Sequence, residues 1–480
     1  MINQEYDQKI CAWIDGHKEQ ILADWMDLIR IPSVRGEAAP KAPYGVECAR
    51  ALKKAAENLE KRGFPTRINE DGGYALASYG DGEKVIGLYG HSDVVPTGDG
   101  WLFTQPFDPI VKEGMLIGRG SGDNKSGVMA ATSILEALRD CQIPMNCKVQ
   151  AFVGSNEESG MGDMEAFVAN EKMPDLSLIP DSGFPCVLGE KGILRMWAKC
   201  DRPLSVIRDF RGGDAFNIVL DHAEAVLPAD PALEAQIRAA IDGNSAFELS
   251  ATDEGLLLQA TGIAKHAAHP EGGINATVLL ADLLIGCDAL DANDREILKT
   301  VSDLTTAYDG SGLGIAFDDP DFGPLTCANG MVAVEDGHLK VSLDIRYGVD
   351  MAPDRLEQLL AKAWNAKGWQ IVYMNNRAGF NAPKDSPIPQ IMVDTCREIT
   401  GQELKPYRMS GGTYARYLKN AFAVGVSAAI PGDTGAKLKI PAGRGGAHQR
   451  DEAISIDNYF QALRILIHAV IQCDRAISEN

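Results

Sequence analysis

Apolar and polar residues follow two different spacings in the first part of the chain. Apolar residues recur at helical spacing in three segments, which predicts amphipathic helices over 17–30, 46–62 and 125–140. Short and nearly continuous apolar runs predict buried strands over 84–90, 148–154 and 175–181. Because strands alternate with helices, we expect an α/β sheet with parallel members.

The pattern changes in the middle of the chain. Residues 246–262 and 338–348 alternate apolar and polar positions, as antiparallel strands with one solvated face do. Helices are predicted over 275–287, where Asn275 is the capping residue, and over 352–368, which ends at a glycine. Antiparallel strands mixed with helices indicate an α+β unit.

The helix and strand pattern of the first part returns after residue 385. It predicts a helix over 386–401, a strand over 421–432 and a last helix near 455–473. We therefore predict one domain formed by 1–191 and 385–480, interrupted by a second domain, 192–384. The expected fold class is α/β, a mixed sheet with helices on both faces and an α+β, ferredoxin-like insert.

Composition and charge exclude several classes of function. The 480 residues carry a formal net charge of −21, which would repel nucleic acid phosphates. No apolar stretch reaches the roughly 20 residues of a membrane span, and the polar start of the chain does not match a secretory leader. The ten cysteines are scattered singly, which indicates neither a disulfide framework nor a thiolate zinc site. We expect a cytoplasmic protein that binds neither membranes nor nucleic acid.

Groups able to bind metal ions follow the predicted strands. They are His91 and Asp93 after the first strand, Glu157 and Glu158 after the second, and Asp181 at the end of the third. Asp123 and His448 lie in two further glycine-rich loops. Each of these alone is typical of a surface turn or a solvated charge. Because open α/β sheets assemble their sites outside the carboxyl ends of the strands, the whole set predicts a metal site.

The residue types indicate two divalent ions. Histidines and carboxylates without a thiolate suit Zn²⁺, Mn²⁺ or Co²⁺. Two ions ~3.5–4 Å apart need a bridging ligand, and Asp123 is the natural bridge because a carboxylate can span both ions. Asp93 is placed to accept the second ring N–H of His91 and fix its tautomer. Glu157, adjacent to Glu158, is placed to act as general base toward the attacking water.

These motifs resemble the zinc-dependent hydrolases that include aminoacylase, carboxypeptidase G, carnosinase and bacterial dipeptidase V, with dipeptidase V the most similar group. The segments that carry the resemblance span nearly the whole chain: GHSDVVPTGDGW, GRGSGDNKSG, GSNEESG, IPDSG and AHQRDE. The resemblance implies an aminopeptidase-like catalytic domain with a lid. It also implies two zinc ions, one held by His91, Asp123 and Asp181 and the other by Asp123, Glu158 and His448, with Glu157 activating the water.

The resemblance extends to the predicted lid. In GIAKHAAHP it implies that His266, and not His269, stabilises the oxyanion. Other motifs imply substrate-binding residues, namely Asn217 and Arg346 for the terminal carboxylate and Gly412 and Thr413 for the pocket wall. Without the resemblance, His266, Asn217 and Arg346 are more typical of a surface histidine, a helix end and a solvated strand face.

The chain departs from many relatives at two positions beside the predicted bridge. Asn124 stands where many carry a second aspartate, and Ser126 where many carry glycine. Neither is an expected metal ligand, so the predicted ligand set is unchanged. The resemblance also implies a cis peptide bond between Asp123 and Asn124.

The resulting functional prediction is a metallopeptidase that hydrolyses unblocked dipeptides. Relatives with a lid of one ferredoxin-like unit dimerise and borrow the oxyanion histidine from the partner. This insert is longer, so we expect a monomer that supplies His266 itself and encloses only a short substrate. The alternatives are deacylation of N-acyl amino acids, as in acetylornithine or succinyl-diaminopimelate hydrolases, and a non-catalytic peptide or metal binder. The last alternative predicts a lost base or ligand, yet the sequence retains all of them.

Overall fold

The computed structural model describes residues 2–426 and 437–478. Within these residues the α-helices are α1 (Gln4–Ile29), α2 (Val46–Lys61), α3 (Lys125–Asp140), α4 (Gly162–Asn170), α5 (Pro231–Ile241), α6 (Ala276–Ile285), α7 (Ala292–Thr305), α8 (Pro353–Asn365), α9 (Ile388–Thr400) and α10 (Ile456–Ser478). No helix in these ranges combines the length and the apolar content that crossing a membrane requires.

The strands of the same residues are mostly short. They are β1 (Thr66–Ile68), β2 (Tyr74–Tyr79), β3 (Val85–His91), β4 (Ile110–Lys112), β5 (Met115–Ile117), β6 (Lys148–Gly154), β7 (Leu176–Ser182), β8 (Val187–Glu190), β9 (Gly192–Cys200), β10 (Asp209–Gly212), β11 (Ile218–Val219), β12 (His222–Leu227), β13 (Phe247–Thr252), β14 (Gly255–Thr261), β15 (Lys265–His266), β16 (Asp318–Asp319), β17 (Gly323–Pro324), β18 (Thr326–Ala328), β19 (Val332–Glu335), β20 (His338–Tyr347), β21 (Trp369–Arg377), β22 (Phe380–Asn381), β23 (Tyr407–Met409), β24 (Ala421–Gly425) and β25 (Ala453–Ser455).

The chain divides into two compact units. The first comprises Met1–Gly189, Asn381–Tyr407 and Thr413–Asn480, and the second comprises Glu190–Phe380 and Arg408–Gly412. The sequence pattern assigned every residue after 385 to the first domain, whereas Arg408–Gly412 groups with the second unit. Contacts within that unit explain the difference, because Arg346 Nη1 donates to the carbonyl of Ser410 at 3.1 Å. A local hydrophobic pattern carries no signal for such a contact.

A mixed six-stranded sheet in the order β1-β2-β6-β3-β7-β24 forms the centre of the first unit. β3 runs parallel to β6 and β7, and β24 runs parallel to β7. Both faces of β3 are covered. An added Cβ on Gly90 would lie 2.6 Å from the backbone nitrogen of Val128 in α3. Tyr89, on the other face, contacts Phe167 of α4 with ring centroids 5.8 Å apart. The predicted mixed sheet with helices on both faces is confirmed.

The observed elements extend some predictions and leave one partly untested. α1 begins at Gln4, well before the predicted residue 17, because Asn3 caps it and accepts the N–H groups of Glu5 and Tyr6. Its first turns also bury apolar residues at helical spacing, Ile10, Trp13 and Ile14. The strand predicted over 421–432 is β24 as far as Gly425, and residues 427–432 lie outside the described residues.

The second unit contains a nine-stranded antiparallel sheet. Its main path runs β13-β14-β12-β10-β19-β20-β9-β21, and β18 pairs with β20. Alternate residues of β9 are buried, so this strand turns one face to a core. That core includes Leu280 of α6, Val301 of α7 and Leu360 of α8. The predicted α+β insert is confirmed.

Candidate metal and catalytic site

The carboxyl ends of neighbouring parallel strands bring the predicted site residues to one edge of the first sheet. His91 is the last residue of β3 and pairs with Gly154, the last residue of β6. Glu157 and Glu158 follow β6 directly in the chain. Asp181 lies at the end of β7, which is the other neighbour of β3. The position of these residues follows from the parallel strand order.

Asp123 lies between two histidines. Its Oδ1 is 3.2 Å from His91 Nε2, and its Oδ2 is 3.2 Å from His448 Nε2. His91 Nε2 is also 3.6 Å from Asp181 Oδ2. His448 Nε2 is also 3.1 Å from Glu158 Oε2. Two groups of one histidine and one carboxylate therefore share Asp123, one group on each of its oxygens.

The buried polar atoms of this cluster fit divalent cations. His91 Nε2, Glu157 Oε1 and Glu158 Oε1 are buried and form no hydrogen bond within the described part of the chain. Ligand atoms of His91, Asp123 and Glu158 lie within 4.8 Å of one another. Buried polar atoms without partners are costly unless a ligand satisfies them. Imidazole and carboxylate donors at this spacing suit Zn²⁺, Mn²⁺ or Co²⁺.

The charges of the cluster are unbalanced. Burial raises the pKa of Glu157 well above its usual range, and Asp181 adds to this shift while His91 opposes it. Burial and the charge of Asp123 raise the pKa of Glu158 to about 7. Burial opposes protonation of His448, but Glu158 and Asp123 raise the pKa of its ring to about 11. The carboxylates thus exceed the positive charge that the histidines supply, an imbalance that divalent cations would correct.

Asp93 lies beside the ring of His91 and also makes contacts that were not predicted. His91 Nδ1 lies 3.0 Å from the backbone carbonyl of Asp93, while its distance to the Asp93 carboxylate is 3.5 Å. The carboxylate also accepts the backbone N–H groups of Glu157 and Glu158, each at 3.1 Å. The His91 tautomer is therefore fixed by a carbonyl, and Asp93 holds the segment that carries both glutamates.

Asn124 connects two predicted ligands. Its side-chain amide donates to Asp181 Oδ1 at 2.8 Å and to the carbonyl of Pro180 at 2.7 Å. Its Oδ1 accepts the backbone N–H of His91 at 3.3 Å. A deprotonated aspartate here could not donate these bonds, so an asparagine at this position has a structural role. The peptide bond between Asp123 and Asn124 is cis, as the resemblance implied.

Sequence reasoning missed Asp163 and Tyr414, which support the same edge of the sheet. Asp163 Oδ2 accepts the backbone N–H groups of Ser155 and Asn156 at 2.7 and 2.8 Å, and the hydroxyl of Tyr414. The ring of Tyr414 also meets His91 edge-on, with centroids 6.3 Å apart. One available signal was the place of Tyr414 in the glycine-rich segment SGGTYAR.

His266 and Asn217 lie next to each other in the second unit. β15 and β11 pair so that His266 is opposite Ile218, and the carbonyl of Asn217 accepts the N–H of Ala267 at 2.9 Å. The N–H of Ala268 donates to His266 Nδ1 at 3.2 Å. A neutral His266 therefore carries its proton on Nε2, the form that can donate a hydrogen bond to an oxyanion. The exposed position of His266 suits this predicted role.

The other predicted substrate-binding residues have structural contacts of their own. Arg346 is buried and donates through two nitrogens to the carboxylate of Asp344. Thr413 is buried, and its hydroxyl accepts the N–H of Ala415 at 3.1 Å. Gly412 is partly exposed and precedes it in the chain. Their roles toward a substrate stay predictions.

A second group with metal-compatible spacing consists of His17, Glu136 and Asp140. Its carboxylates are already paired, because Arg62 Nε donates to Glu136 at 2.9 Å and Arg139 Nε donates to Asp140 at 2.7 Å. Guanidinium groups that occupy the carboxylates would compete with a cation. This group is therefore an ion-pair cluster.

Comparison with known proteins defines the class. Residues 87–472 match the model of peptidase family M20/M25/M40. The chain belongs to this family and is a hydrolase of the metallopeptidase class. Members of the family typically depend on two metal ions, in keeping with the fit of the Asp123 cluster to divalent cations.

Two curated relatives match almost the full length of the chain. One is "Putative dipeptidase YtjP" of Bacillus subtilis (strain 168), 28% identical over 467 residues, covering 95% of this chain and 97% of that protein. The other, from Staphylococcus aureus (strain USA300), is also named a putative dipeptidase. It is 28% identical over 473 residues, with 95% and 97% of the two chains covered.

Solved structures of low sequence identity share the fold. Human carnosine dipeptidase 1 has a TM-score of 0.59 at 15% identity, and the alignment covers 99% of this chain and all 100% of that chain. The dipeptidase Dug1p from Saccharomyces cerevisiae has a TM-score of 0.61 at 15% identity, covering 98% and 99%. These similarities confirm the predicted family architecture.

Proposed function

We propose that the chain is a metal-dependent dipeptidase that hydrolyses the peptide bond of unblocked dipeptides. The observation that carries this proposal is the position of Asp123, with one carboxylate oxygen facing His91 and the other facing His448. His91, Asp123 and Asp181 would hold one divalent ion. Asp123, Glu158 and His448 would hold the other. Zinc is the expected ion, and manganese and cobalt suit the same donors.

Bound divalent ions supply Lewis-acid polarisation of the substrate carbonyl and make water a better nucleophile at neutral pH. Glu157 supplies the proton transfers in this proposal. Its Oε1 is buried and accepts no hydrogen bond from the described residues, so it can take a proton from the attacking water. The same carboxyl group then delivers that proton to the leaving amine. Burial raises the pKa of Glu157, which helps this carboxyl group to hold the proton between the two steps.

Residues of the second unit are included in the proposal because the resemblance implies roles for them in catalysis and substrate binding. His266 would donate its Nε2–H to the developing oxyanion, a role that its Nδ1 hydrogen bond to Ala268 N–H supports. Asn217 and Arg346 would bind the carboxylate of the second substrate residue, and Gly412 and Thr413 would line the pocket. The pairing of Arg346 with Asp344 orients its guanidinium group. The names of the relatives in Bacillus subtilis and Staphylococcus aureus support the choice of dipeptides.

The proposal is tested by turnover of a dipeptide panel with metal-stripped protein, titrated separately with Zn²⁺, Mn²⁺ and Co²⁺. We expect activity to return only on addition of metal. Unblocked dipeptides should be cleaved and their N-acyl counterparts should not, because a dipeptidase requires the free α-amine. Preferential cleavage of N-acyl amino acids would replace the proposal with a deacylase. Metal binding without turnover of either class would favour a non-catalytic binder.

A further inference from the structure

Glu452 lies shortly after His448 in the chain, and its carboxylate is buried against the loop that leads to Asp123. Oε1 accepts the backbone N–H of Gly122 at 2.8 Å and that of Asp123 at 3.0 Å. Oε2 accepts the backbone N–H of Gly120 at 3.1 Å and Arg119 Nη1 at 2.7 Å. Both oxygens are therefore occupied by donors from one short segment, residues 119–123.

A structural ion pair alone would not need these backbone contacts. The side chains of Arg119 and Glu452 are each 1% exposed, so the pair is isolated from solvent. Arg119 would by itself neutralise the carboxylate. Three of the four hydrogen bonds nevertheless go to the backbone, and one of them goes to the N–H of Asp123 itself. Glu452 is placed to fix the conformation of the loop as well as to balance a charge.

The segment that carries Glu452 also carries His448. Beside the side-chain contacts, the carbonyl of Glu452 accepts the N–H of Gly118 at 2.9 Å, and β25 pairs with β5 directly after it. The loop that contains His448 is closed by two backbone hydrogen bonds. Gly445 N–H donates to the carbonyl of Arg450 at 2.9 Å, and Ala453 N–H donates to that of Gly445 at 3.0 Å. Glu452 therefore links the loop of one predicted ligand to the loop of another.

We propose that Glu452 is a positioning residue for the metal site. Its carboxylate holds the loop of Asp123 beside the loop of His448, where Asp123 Oδ2 lies 3.2 Å from His448 Nε2. The loops that carry these two ligands are more than 300 residues apart in sequence, and the Arg119–Glu452 contact that links them spans 333 residues. Glu452 provides this link. This inference rests on the proposed metal site and is independent of the substrate.

The test is titration of metal-stripped Glu452→Gln with Co²⁺. Binding is measured by calorimetry and by the visible absorption of bound cobalt. Glutamine has one acceptor oxygen, so it cannot accept hydrogen bonds both from Gly122 and Asp123 and from Gly120 and Arg119, and its NH₂ group faces one of these pairs of donors. We expect Co²⁺ affinity to fall about 10–100-fold, the usual effect of removing a group that orients metal ligands. The Co²⁺ ion that binds more weakly should be the one whose binding His448→Ala removes. The visible absorption spectrum of this bound Co²⁺ should also change.

Asp451→Asn is the matched control. Asp451 is a buried acid of the same segment, but it accepts the N–H groups of Leu102 and Phe103 at 2.7 and 3.1 Å and pairs with Arg444. Wild-type Co²⁺ affinity in this variant, with weakened binding in Glu452→Gln, supports the inference. Wild-type affinity in Glu452→Gln, or equal losses in both variants, overturns it. Absence of Co²⁺ binding by the unmutated protein would refute the metal site and this inference together.

A second measurement decides the question if Glu452→Gln does not fold. Hydrogen–deuterium exchange of the metal-free, unmutated protein reports on the amides of Gly120, Gly122 and Asp123. Slow exchange of these three amides before metal is added supports a loop held by Glu452. Exchange at the rate of an open loop, with protection only after Co²⁺ is added, would show that the metal orders the loop and would overturn the inference.

Discussion

Replacing Glu157 by glutamine is expected to remove nearly all turnover while leaving the fold and the metal ligands in place. Glu157 is only 8% exposed, and glutamine has the same shape, so the substitution leaves no cavity. Burial and Asp181 raise the pKa of this carboxyl group, so its ionised form is disfavoured in the folded protein. A neutral amide removes that penalty. The thermal stability of the metal-free variant should therefore equal or exceed that of the unmutated protein.

The magnitude follows from the role of the residue. A positioned general base contributes roughly 10²–10⁴-fold to the rate. This range corresponds to about 3–5 kcal/mol of activation free energy at 25 °C. Because the interaction is made in the transition state and not with the ground-state substrate, kcat and kcat/KM should fall together and KM should change little.

Steady-state kinetics with an unblocked dipeptide at saturating metal provides the assay, with bound metal measured on the same samples. The adjacent Glu158→Gln is the matched comparison, because it removes the same chemical group one position along the chain. It should lose metal affinity, since Glu158 lies 3.1 Å from His448. A kcat for Glu157→Gln within tenfold of the unmutated enzyme at full metal occupancy would refute the base assignment.

Three further predictions concern the surrounding residues. Asp93→Asn leaves one carbonyl oxygen for two N–H groups, so the free energy of unfolding should fall by about 1–3 kcal/mol in urea titrations, and kcat/KM should fall with it. Unchanged values of both would show that these two hydrogen bonds do not support the site. Tyr414→Phe removes a donor to Asp163 and should destabilise the protein by a similar amount, about 1–3 kcal/mol, whereas unaltered stability would contradict this. His266→Ala should lower kcat by about 10²–10³-fold and leave the Co²⁺ affinity unchanged. Light scattering of the unmutated protein should show a monomer, and a dimer that supplies His266 across its interface would contradict a site formed by one chain.

Much of the site could be predicted because parallel strands place their carboxyl ends at one edge. His91, Glu158 and Asp181 lie at or just after the ends of three such strands, and each strand was recognisable from its apolar run. The glycine-rich loop before α3 placed Asp123 in the same region. The positions of the predicted strand ends and the residue types were therefore enough to predict that these groups lie together.

The remaining contacts depend on turn conformations that a linear pattern does not encode. The spacing of His91 and Asp93 indicated a contact between their side chains, but the hydrogen bonds of Asp93 to the N–H groups after β6 depend on the path of the turn. Asn124 has the same shape as an aspartate and differs in its NH₂ group. The acceptors of that group, Pro180 and Asp181, are known only from the folded structure. The proposed role of Glu452 depends on the contact between two loops that are more than 300 residues apart in sequence.

Diffraction data collected at the zinc absorption edge, from crystals of the protein grown with zinc, test the central claim most directly. Two anomalous peaks ~3.5–4 Å apart are expected, one beside His91 and one beside His448, with a carboxylate oxygen of Asp123 directed at each. A single peak away from Asp123, or none at full zinc saturation, would contradict the account.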